Sequence, residues 1–531
     1  MQRMPTTQIV VDCSKKTHKL VPIWRSFGYD EINWTYTPRG KRALKEIGDL
    51  SEEPYFIRCH HTFTSGNGLS TPTRGSTNVC VGIEGSELKL DFTLLDRVLE
   101  TILANNCKPI VELGFMPDAL SSGSKLKPSY DYSGTDLWKF PPGDLVQWQQ
   151  LVHRTVRHCV DKFGPQEVSA WYWEVWNEPD NPGFFSGSVK DYCKLYDFAV
   201  AGAVEALREI RIGGPALATS VKFLDKFLKH CSGGKNLATR KRGAQLDFIS
   251  LHAKGTDWPL KGQPFKMPAL RKIMSHLKDY DAVLKKYPEF SKAELLLDEC
   301  DMAVATNFGV YDFPEFEFNN SQYYPLFVVR MTGCLLDFCQ ERNLPVRLFT
   351  TWAFYFEGKR FFEGNRALFT SENIRKPVFN AFALLEQLGS ERFAFEIVDV
   401  AANQNDLHFP QVDGLAAGTS ADSIQVVIWN FDEAGREIGA VEVMLEVRGV
   451  DGSFSIRKFL IDEQHSNSYS VWNAFGRPDD PTAGQISEIR QRQGLEQVGE
   501  SEEVVARSGQ IRTSFWLPGQ SVMLLKLHRR R

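Results

Sequence analysis

The segment WYWEVWNEPDNP, residues 171–182, contains the pattern that decides the fold of this chain. Its first part is a nearly continuous aromatic and apolar run, which is typical of a strand buried on both faces. The run ends in a polar turn, and a helical pattern of apolar residues follows over residues 191–210. A buried strand followed by an amphipathic helix is the repeating unit of a parallel sheet covered by helices.

The same unit recurs through the first two thirds of the chain. Strands are predicted at residues 25–32, 55–61, 109–115, 171–178, 211–217, 248–254, 293–301 and 346–354. Helical patterns separate most of them, at residues 90–106, 143–163, 191–210, 221–231, 268–287 and 321–340. Eight such units predict an α/β fold, a (β/α)8 TIM barrel over residues 21–385. A doubly wound open sheet is the alternative, but no glycine-rich phosphate fingerprint follows any strand.

The pattern changes after about residue 386. Short segments alternate apolar and polar residues, with little helical pattern between them, which predicts antiparallel sheets. Residues 386–531 are therefore expected to form a C-terminal antiparallel β-sandwich domain. Residues 1–20 contain the segment TTQIVVDC, which is predicted to add an N-terminal strand to that sandwich.

The composition excludes several classes of protein. A net charge of −4 over 531 residues gives no electrostatic reason to expect a nucleic-acid or membrane-surface partner. The chain has no apolar run that resembles a signal peptide or spans a bilayer, so a cytoplasmic location is expected. The ten cysteines form no C-x-x-C pair, which indicates reduced thiols and no zinc site. No cofactor is expected, and a homo-oligomer with subunit contacts in the sandwich is compatible with the sequence.

Active sites of TIM barrels lie at the C-terminal ends of the strands. Strands four and seven lie on roughly opposite sides of the ring, so Glu178 and Glu299 are expected to face each other across its mouth. A facing pair of carboxyl groups suits glycoside hydrolysis. The alternative is that these carboxylates are structural and pair with an arginine or cap a helix. The residues at or just beyond strand ends that could carry chemistry are Arg58, His60, His61, Asn177, Glu178, His252, Asp298, Glu299, Asp301, Trp352 and Glu357.

Several blocks of sequence carry a resemblance to a known family. Trp-Asn-Glu-Pro at the end of a fourth strand resembles the acid/base motif of the barrel glycosidases whose carboxylates come from strands four and seven. The match narrows to glycoside hydrolase family 39, which contains β-xylosidases and α-L-iduronidases. It extends in order over nearly the whole chain. The matching blocks are EVWNEP (174–179), ELGFMP (112–117), GGPA (213–216), FISLHA (248–253), LIDEQH (460–465) and GRP (476–478).

The resemblance implies a retaining, double-displacement mechanism. Glu178 maps onto the acid/base and Glu299 onto the nucleophile, with Asn177 contacting the 2-hydroxyl of the sugar. In such enzymes the two carboxyl groups lie about 5–5.5 Å apart. The residues predicted to bind substrate are Asn177, His60, His252, Trp352 and Glu357.

Three acids within residues 298–301 raise the question of a metal site. On a regular strand Asp298 and Glu299 point to opposite sides, so they cannot both face the mouth without a bulge. His60 and His61 also lack the alternation that places two ligands on one face. No metal is therefore predicted.

Strand alternation also separates residues that pack from residues that face the site. Cys300 is expected to face away from the site into the packing. Trp171 and Trp173 share one side of their strand and are expected to pack, whereas Trp176 is expected on the other side together with Glu178.

Some residues depart from the family pattern and leave the sugar undetermined. Lys254 stands where the xylosidase pattern leads us to expect a tyrosine, residues 61–68 lack its paired aspartates, and residues 300–302 differ from its aromatic-Asn. Loops set the substrate of a barrel enzyme, whereas strand ends set the chemistry. A lysine near the sugar could suit a uronic acid, or it could point to solvent, as lysines usually do.

The expected function is that of a retaining exo-glycosidase that releases terminal xylose from β-xylosides. An arabinoside or a uronide, as in an α-L-iduronidase, is the nearest alternative. Residues 354–357 and 361–363 are expected to form a wall of the substrate pocket, with Glu357 contacting a sugar hydroxyl. A catalytically inactive carbohydrate-binding relative and a metal-dependent barrel hydrolase are the competing hypotheses.

Overall fold

The structure is a computed structural model that describes residues 6–68, 75–125, 136–259, 262–304, 308–352, 360–398 and 409–530. No helix within these ranges has both the length and the apolar character needed to cross a lipid bilayer. The ten cysteines all lie within them, and every one is a free thiol. The cytoplasmic location and the homo-oligomer stay predictions.

The chain alternates strands and helices up to residue 385 and is mostly β-structure after it. The strands are β1 (Thr6–Lys19), β2 (Ser26–Tyr29), β3 (Tyr55–Cys59), β4 (Cys80–Glu84), β5 (Glu87–Leu90), β6 (Cys107–Leu113), β7 (Tyr172–Val175), β8 (Ile212–Leu217), β9 (Phe248–Lys254), β10 (Glu294–Asp301), β11 (Val346–Phe349), β12 (Thr351–Trp352), β13 (Glu391–Ile397), β14 (Val412–Ser420), β15 (Ser423–Asn430), β16 (Val441–Arg448), β17 (Ser453–Ile461), β18 (Glu496–Val505), β19 (Gln510–Leu517) and β20 (Ser521–Arg529). The α-helices are α1 (Pro38–Gly48), α2 (Thr93–Leu103), α3 (Leu145–Phe163), α4 (Pro165–Ser169), α5 (Val189–Ala206), α6 (Val221–Gly233), α7 (Leu270–Leu284), α8 (Tyr323–Arg342), α9 (Pro377–Leu385), α10 (Ser468–Ala474) and α11 (Ala483–Gln491).

The first domain is a parallel barrel. Its strands are hydrogen-bonded in the order β11-β10-β9-β8-β7-β6-β3-β2-β12. Strand β12 continues β11 after a single residue, Thr350, and pairs in parallel with β2 at Phe27 and Gly28. The two segments therefore make one eighth strand that closes the ring between β10 and β2. The predicted TIM barrel is confirmed, and each predicted strand overlaps an observed one.

The barrel interior is built in layers, as strand alternation requires. Six buried side chains on six different strands fill the N-terminal end of the barrel. They form a cluster separate from the rest of the core: Phe56, Ile110, Tyr172, Phe248, Leu296 and Leu348. Because residues i and i+2 share a face of a strand, the side chains two positions later also point inward.

The turn after β7 is fixed from the helix layer. Helix α5 begins with a capping box, in which Ser188 and Asp191 each bond the other's backbone N–H. This start places Tyr192 beneath the end of β7, where its hydroxyl donates a hydrogen bond to the carbonyl of Val175 at 2.8 Å. The last residue of the strand is thereby held at the entry to the turn that carries the predicted acid/base.

The second domain consists of β13–β20 together with β1. Its nine strands are hydrogen-bonded in the order β18-β17-β20-β15-β14-β13-β1-β16-β19. Side chains from both ends of this run, such as Phe454 of β17 and Leu445 of β16, share one buried cluster, so the sheet folds over itself as a sandwich. All pairings are antiparallel except that of β1 with β16, which is parallel. The expectation of wholly antiparallel sheets is corrected at this pair, because no hairpin links the N-terminal strand to a neighbour and its direction is free.

The division at residue 386 stays a prediction. Helix α9 ends at Leu385 and β13 begins at Glu391, so the structural elements change there. Helix α10 leaves the sandwich and packs on the barrel loop after β12, where Phe362 lies 5.4 Å from Tyr469 and 5.1 Å from Trp472 between ring centroids.

Candidate active site

A layer of charged residues lies directly above the apolar layer of the barrel. Arg58, Glu112, Glu174 and Asp298 each stand two positions after a member of that layer, and all four are fully buried. Four side chains on four strands are thus brought together by alternation alone.

Arg58 is the centre of this layer. Its guanidinium donates to Glu174 at 2.6 Å and to Glu112 at 3.4 Å, and it lies 3.3 Å from a carboxylate oxygen of Asp298. Burial alone would lower the pKa of Arg58, but the surrounding carboxylates outweigh it and raise that pKa. Burial raises the pKa of Glu174 to about 8, opposed by Arg58 and supported by the charge of Asp298. Glu174 therefore holds a proton at neutral pH.

A bulge in β10 brings Glu299 into the mouth. The register with β9 shifts between Leu296, which pairs with Ser250, and Glu299, which pairs with His252. Three positions of β10 therefore face two of β9, and alternation is broken. The expectation that Asp298 and Glu299 point to opposite sides is corrected, since both contact Arg58 and His252.

The alternation resumes immediately after the bulge. The Sγ of Cys300 lies 3.9 Å from the sulfur of Met331 in α8, so this side chain faces the helix layer as expected.

Glu299 is surrounded by cationic groups. One of its oxygens accepts from Arg58 at 3.3 Å, and the other lies 2.9 Å from the ammonium of Lys254. His60 and His252 are 3.5 and 3.8 Å away. Burial on its own would raise the pKa of Glu299, but His252, Lys254, His60 and Arg58 hold it well below its usual value. Glu299 is therefore ionised at neutral pH, as a nucleophile must be.

Glu178 sits in a strained turn after β7. Trp176 and Glu178 itself adopt positive φ angles of 71° and 46°, which are uncommon for residues other than glycine and cluster at functional sites. The turn is held by a hydrogen bond from the amide of Glu178 to the carbonyl of Ala216 at 2.9 Å. The carboxylate accepts from the side chain of Asn181 at 2.7 Å and lies 3.1 Å from Nδ1 of His252.

The tryptophans around β7 are packing residues. Trp171 and Trp173 stack on each other at 6.0 Å, as expected. Trp176 is also buried, at 5.4 Å from the rings of both Phe115 and Phe185, and it does not line the cavity described below. Its predicted place beside Glu178 was wrong because the positive φ ends the alternation of the strand.

His60 and His252 are held protonated by carboxylates. Burial lowers the pKa of His60, but Glu112 at 2.5 Å and Glu299 raise it to about 9. Burial likewise lowers the pKa of His252, and Glu299, Asp298 and Glu178 together raise it to about 10. His252 therefore joins the two catalytic candidates through one charged ring.

Asn177 lies between the two strained residues. Its side-chain oxygen accepts from Arg58 at 2.9 Å. Its amide nitrogen is buried, lacks a hydrogen-bond partner among the described residues, and belongs to a residue that lines the cavity. A buried donor without a partner costs free energy unless a ligand accepts from it.

Trp352 forms one side of the site. Its ring lies 4.4 Å from that of His60 and 5.0 Å from the guanidinium of Arg58. The indole packs over Gly28 of β2, where an added Cβ would lie 2.1 Å from the ring, so only glycine fits there. Glu357 lies outside the described residues.

Lys254 does not point to solvent, so the alternative that its side chain is solvated is wrong. It is buried and bridges Glu299 at 2.9 Å and Asp301 at 3.1 Å. Asp301 also accepts from the backbone of Trp352 at 3.1 Å and pairs with the buried Arg366. Burial lowers the pKa of Lys254 to about 8, opposed by Glu299 and assisted by Arg366.

These groups open into a cavity of about 720 Å³. Glu178, Glu299, Asn177, His60, His252 and Trp352 all line it, so the structure brings together every described residue that was predicted to act in the site. Phe361 and Phe362 do not line it, because they are buried against Trp472 of the sandwich domain. The pocket wall predicted there is wrong for those two residues.

A metal ion is the remaining question for this site. One ligand atom from each of Glu178, His252 and Glu299 lies within 4.8 Å of the other two, as in a metal-binding set. A histidine must be neutral to bind a metal, whereas His252 is protonated at neutral pH. Lys254 also places a positive charge 2.9 Å from Glu299, and this charge would repel a metal ion. The residues present therefore fit a metal poorly.

Several residues of the site carry no assigned role in the sequence analysis. Arg58 is predicted there only as a strand-end residue, and Glu112 and Glu174 are only the first residues of two blocks that resemble the family. The signal was available, because each of the three stands two positions after an inward-facing aromatic or apolar residue. The contact of Lys254 with Glu299 had no such signal, since it depends on the bulge in β10.

Comparisons with known proteins identify the family of the chain. A family model described as glycosyl hydrolases family 39 matches residues 7–504. A β-xylosidase of Caldicellulosiruptor saccharolyticus is 26% identical over 499 residues, which cover 92% of this chain and 92% of the relative. An α-L-iduronidase of Mus musculus is 24% identical over 557 residues, which cover 97% of this chain and 80% of the relative.

Solved structures show the same fold. A bacterial orthologue of human α-L-iduronidase superposes with a TM-score of 0.79 at 22% identity, covering 99% of this chain and 84% of that one. A monomeric β-xylosidase from Caulobacter crescentus gives a TM-score of 0.77 at 20% identity, covering 99% of this chain and 100% of that one. With the family match across nearly its whole length, the chain belongs to glycosyl hydrolases family 39, and is a glycosidase.

Proposed function

We propose that the protein is a retaining exo-glycosidase in which Glu299 is the nucleophile and Glu178 is the acid/base. The observation that carries this proposal is the separation of the two carboxylates, since an oxygen of each lies within 4.8 Å of the other. Retaining glycosidases hold these groups about 5–5.5 Å apart, whereas inverting enzymes leave about 6.5–9.5 Å for a water molecule.

In the first step Glu299 attacks the anomeric carbon while Glu178 gives its proton to the glycosidic oxygen. The bond to the leaving group breaks, the alcohol departs, and a covalent glycosyl ester forms on Glu299. The cations around Glu299 keep it ionised before the attack. Glu178 is the more accessible of the two acids, with 16% of its side chain exposed against 8% for Glu299.

In the second step Glu178 takes a proton from water, and the hydroxide attacks the anomeric carbon of the ester. Glu299 leaves as a carboxylate, and Lys254 at 2.9 Å stabilises its returning charge. The unpartnered amide donor of Asn177 is placed to bind the 2-hydroxyl of the sugar, a contact that strengthens in such transition states.

The leading substrate is a β-xyloside. The support is similarity, because the β-xylosidases compared here match this chain over most of both lengths. Exo action is part of the proposal, and the burial of His60, Asn177 and Trp352 on one side of the cavity supports it. An arabinoside stays a further alternative.

A uronide is the second candidate, and Lys254 is the observation that favours it. Its buried ammonium lines the cavity beside the nucleophile, where an anionic substituent of the sugar could reach it. Against this, the charge of Lys254 is already shared between Glu299 and Asp301.

The test has two parts. Aryl glycosides of β-xylose, α-arabinose, α-iduronic acid and β-glucose identify the sugar. Glu299→Ala should abolish turnover of the preferred one, and azide should restore cleavage with a product of inverted configuration. The control Glu289→Ala removes a fully exposed carboxylate that lies between α7 and β10 and does not line the cavity, and it should keep wild-type activity. Unchanged activity in Glu299→Ala would reject the mechanism and point to another catalytic group, whereas no turnover of any of these glycosides by the wild-type protein would favour a carbohydrate-binding protein.

Removal of metal ions by a chelator distinguishes the proposed mechanism from that of a metal-dependent barrel hydrolase. Activity that survives dialysis against EDTA agrees with the proposal. Activity lost on dialysis and restored by a divalent cation would contradict it.

A further inference from the structure

The cavity has two ends that differ in character. Its inner end is formed by buried residues of the first, second and eighth barrel strands, including Asp30, His60 and Trp352. Its outer end is formed by groups beyond the fifth and sixth strands, including Thr219 and Trp258. Glu178, at the end of the fourth strand, and His252, at the end of the sixth, border this outer end.

The roles of Glu178 and Glu299 determine which part of the substrate occupies each end of the cavity. The acid must touch the glycosidic oxygen, so the leaving group lies on the side of Glu178 that is turned away from the bound sugar. The sugar that reacts with Glu299 occupies the inner end, beside Asn177 and Trp352. The leaving group therefore occupies the outer end, which is bordered by the loops after β8 and β9 and by α7.

Trp258 is the dominant apolar group of the outer end. It is 53% exposed, although an indole is among the most costly side chains to expose. Its ring makes an edge-to-face contact with Phe308 on the loop after β10, at 5.5 Å between ring centroids and 63° between ring planes. A fixed aromatic face that is open to the cavity suits stacking of a flat, apolar surface.

The polar groups beside Trp258 carry little net charge. Asp257 and Lys272 form an ion pair. Burial and the charge of Lys272 lower the pKa of His276, so this ring is neutral at neutral pH. The Nδ1 of His276 is buried and has no hydrogen-bond partner among the described residues, so it can bond a hydroxyl of a ligand.

We propose that Trp258 is the platform of a leaving-group subsite that takes a neutral sugar ring or an aryl group, with His276 bonding one of its hydroxyls. This inference rests on the proposed function, which fixes the side on which the leaving group lies. Trp258 is a binding residue for the leaving group and takes no part in proton transfer.

The test compares two substrates of the sugar that the wild-type protein prefers. One is the disaccharide, whose leaving group is a sugar ring, and the other is the glycosyl fluoride, whose leaving group reaches no subsite. Trp258→Ala should lower kcat/KM for the disaccharide about tenfold, the loss of one aromatic contact, and should leave the fluoride unchanged. Trp258→Phe should restore most of the loss. The control Trp516→Ala removes an equally exposed indole, 51%, from the sandwich and should change neither value.

The other outcomes reject either the subsite alone or the proposed function together with the subsite. An equal fall for both substrates, or no fall for the disaccharide, overturns the subsite and leaves the proposed function standing. Failure of the wild-type protein to cleave either substrate overturns the proposed function, and the subsite with it.

Discussion

Replacement of Lys254 by methionine tests the environment of Glu299, the proposed nucleophile, most sharply. The ammonium lies 2.9 Å from Glu299, which at an effective dielectric constant of about 20 corresponds to roughly 6 kcal/mol of Coulomb attraction. Much of this is offset, because methionine avoids the burial of an ammonium and its repulsion by Arg366. The net loss is that of one charge-assisted hydrogen bond, about 1.5–3 kcal/mol, or roughly 10- to 150-fold in rate.

The loss should fall on one step of the reaction. Glu299 gives up its charge when it attacks and regains it when the glycosyl ester is hydrolysed. Removing Lys254 should therefore slow hydrolysis of the ester and spare its formation. With a glycosyl fluoride, kcat should fall 10- to 150-fold, KM should fall with it, and kcat/KM should stay within about threefold. The mass of the intact protein should show an accumulated glycosyl adduct.

The charge state of Lys254 predicts how the effect of Lys254→Met on kcat changes with pH. The pKa of Lys254 is lowered by burial to about 8, so the side chain is charged below that pH and neutral above it. The difference between the wild-type protein and Lys254→Met should be largest near pH 7 and shrink as the pH rises past about 8. A fluoride substrate is needed, because its departure requires no proton from Glu178.

The control is Lys108→Met, which removes a half-buried lysine of β6 that pairs with Glu167 at 2.6 Å and does not line the cavity. It should leave all kinetic values unchanged. An unchanged kcat in Lys254→Met would refute the assigned role. A raised KM for an iduronide with unchanged kcat would show instead that Lys254 binds the carboxylate of the sugar.

Three further predictions concern the walls of the site. Asn177→Ala should lower kcat/KM about 100-fold for a substrate with a 2-hydroxyl and leave a 2-deoxy substrate unaffected, as steady-state kinetics would show. Gly28→Ala should lower the free energy of unfolding by about 1–3 kcal/mol, because its Cβ meets the ring of Trp352, whereas Gly82→Ala, with nothing within 4 Å, should be neutral in urea unfolding. Arg58→Met should cost about 3–5 kcal/mol at pH 7. That cost should shrink below about pH 4. Asp298 and Glu299 have lowered pKa values in the folded protein, so their pairing with Arg58 contributes stability only while they are ionised.

The barrel and the two catalytic candidates are visible in the sequence for a physical reason. Strand periodicity and the fold rule for TIM barrels place the side chains at strand ends in one mouth, whatever the loops do. The place of Glu178 and Glu299 at the mouth could therefore be predicted from position, whereas the choice of these two among the strand-end acids came from the family resemblance. The charged layer beneath them also follows from alternation, since Arg58 and Glu112 stand two positions after Phe56 and Ile110.

The remaining features depend on local irregularities that sequence periodicity does not show. The bulge in β10 rotates Glu299 to the side of Asp298, where its carboxylate contacts Lys254. The positive φ of Trp176 ends the alternation of β7 one residue before Asn177. The parallel pairing of β1 with β16 is a contact between segments more than 400 residues apart, which no local pattern specifies.

The configuration of the first-formed sugar tests the central claim most directly. The preferred aryl glycoside is hydrolysed in deuterated buffer, and proton NMR follows the anomeric signals before mutarotation mixes them. Two displacements at Glu299 and Glu178 predict that the sugar appears first in the configuration of the substrate. A first product of the opposite configuration would mean a single displacement by water and would contradict the assignment of Glu299 as nucleophile.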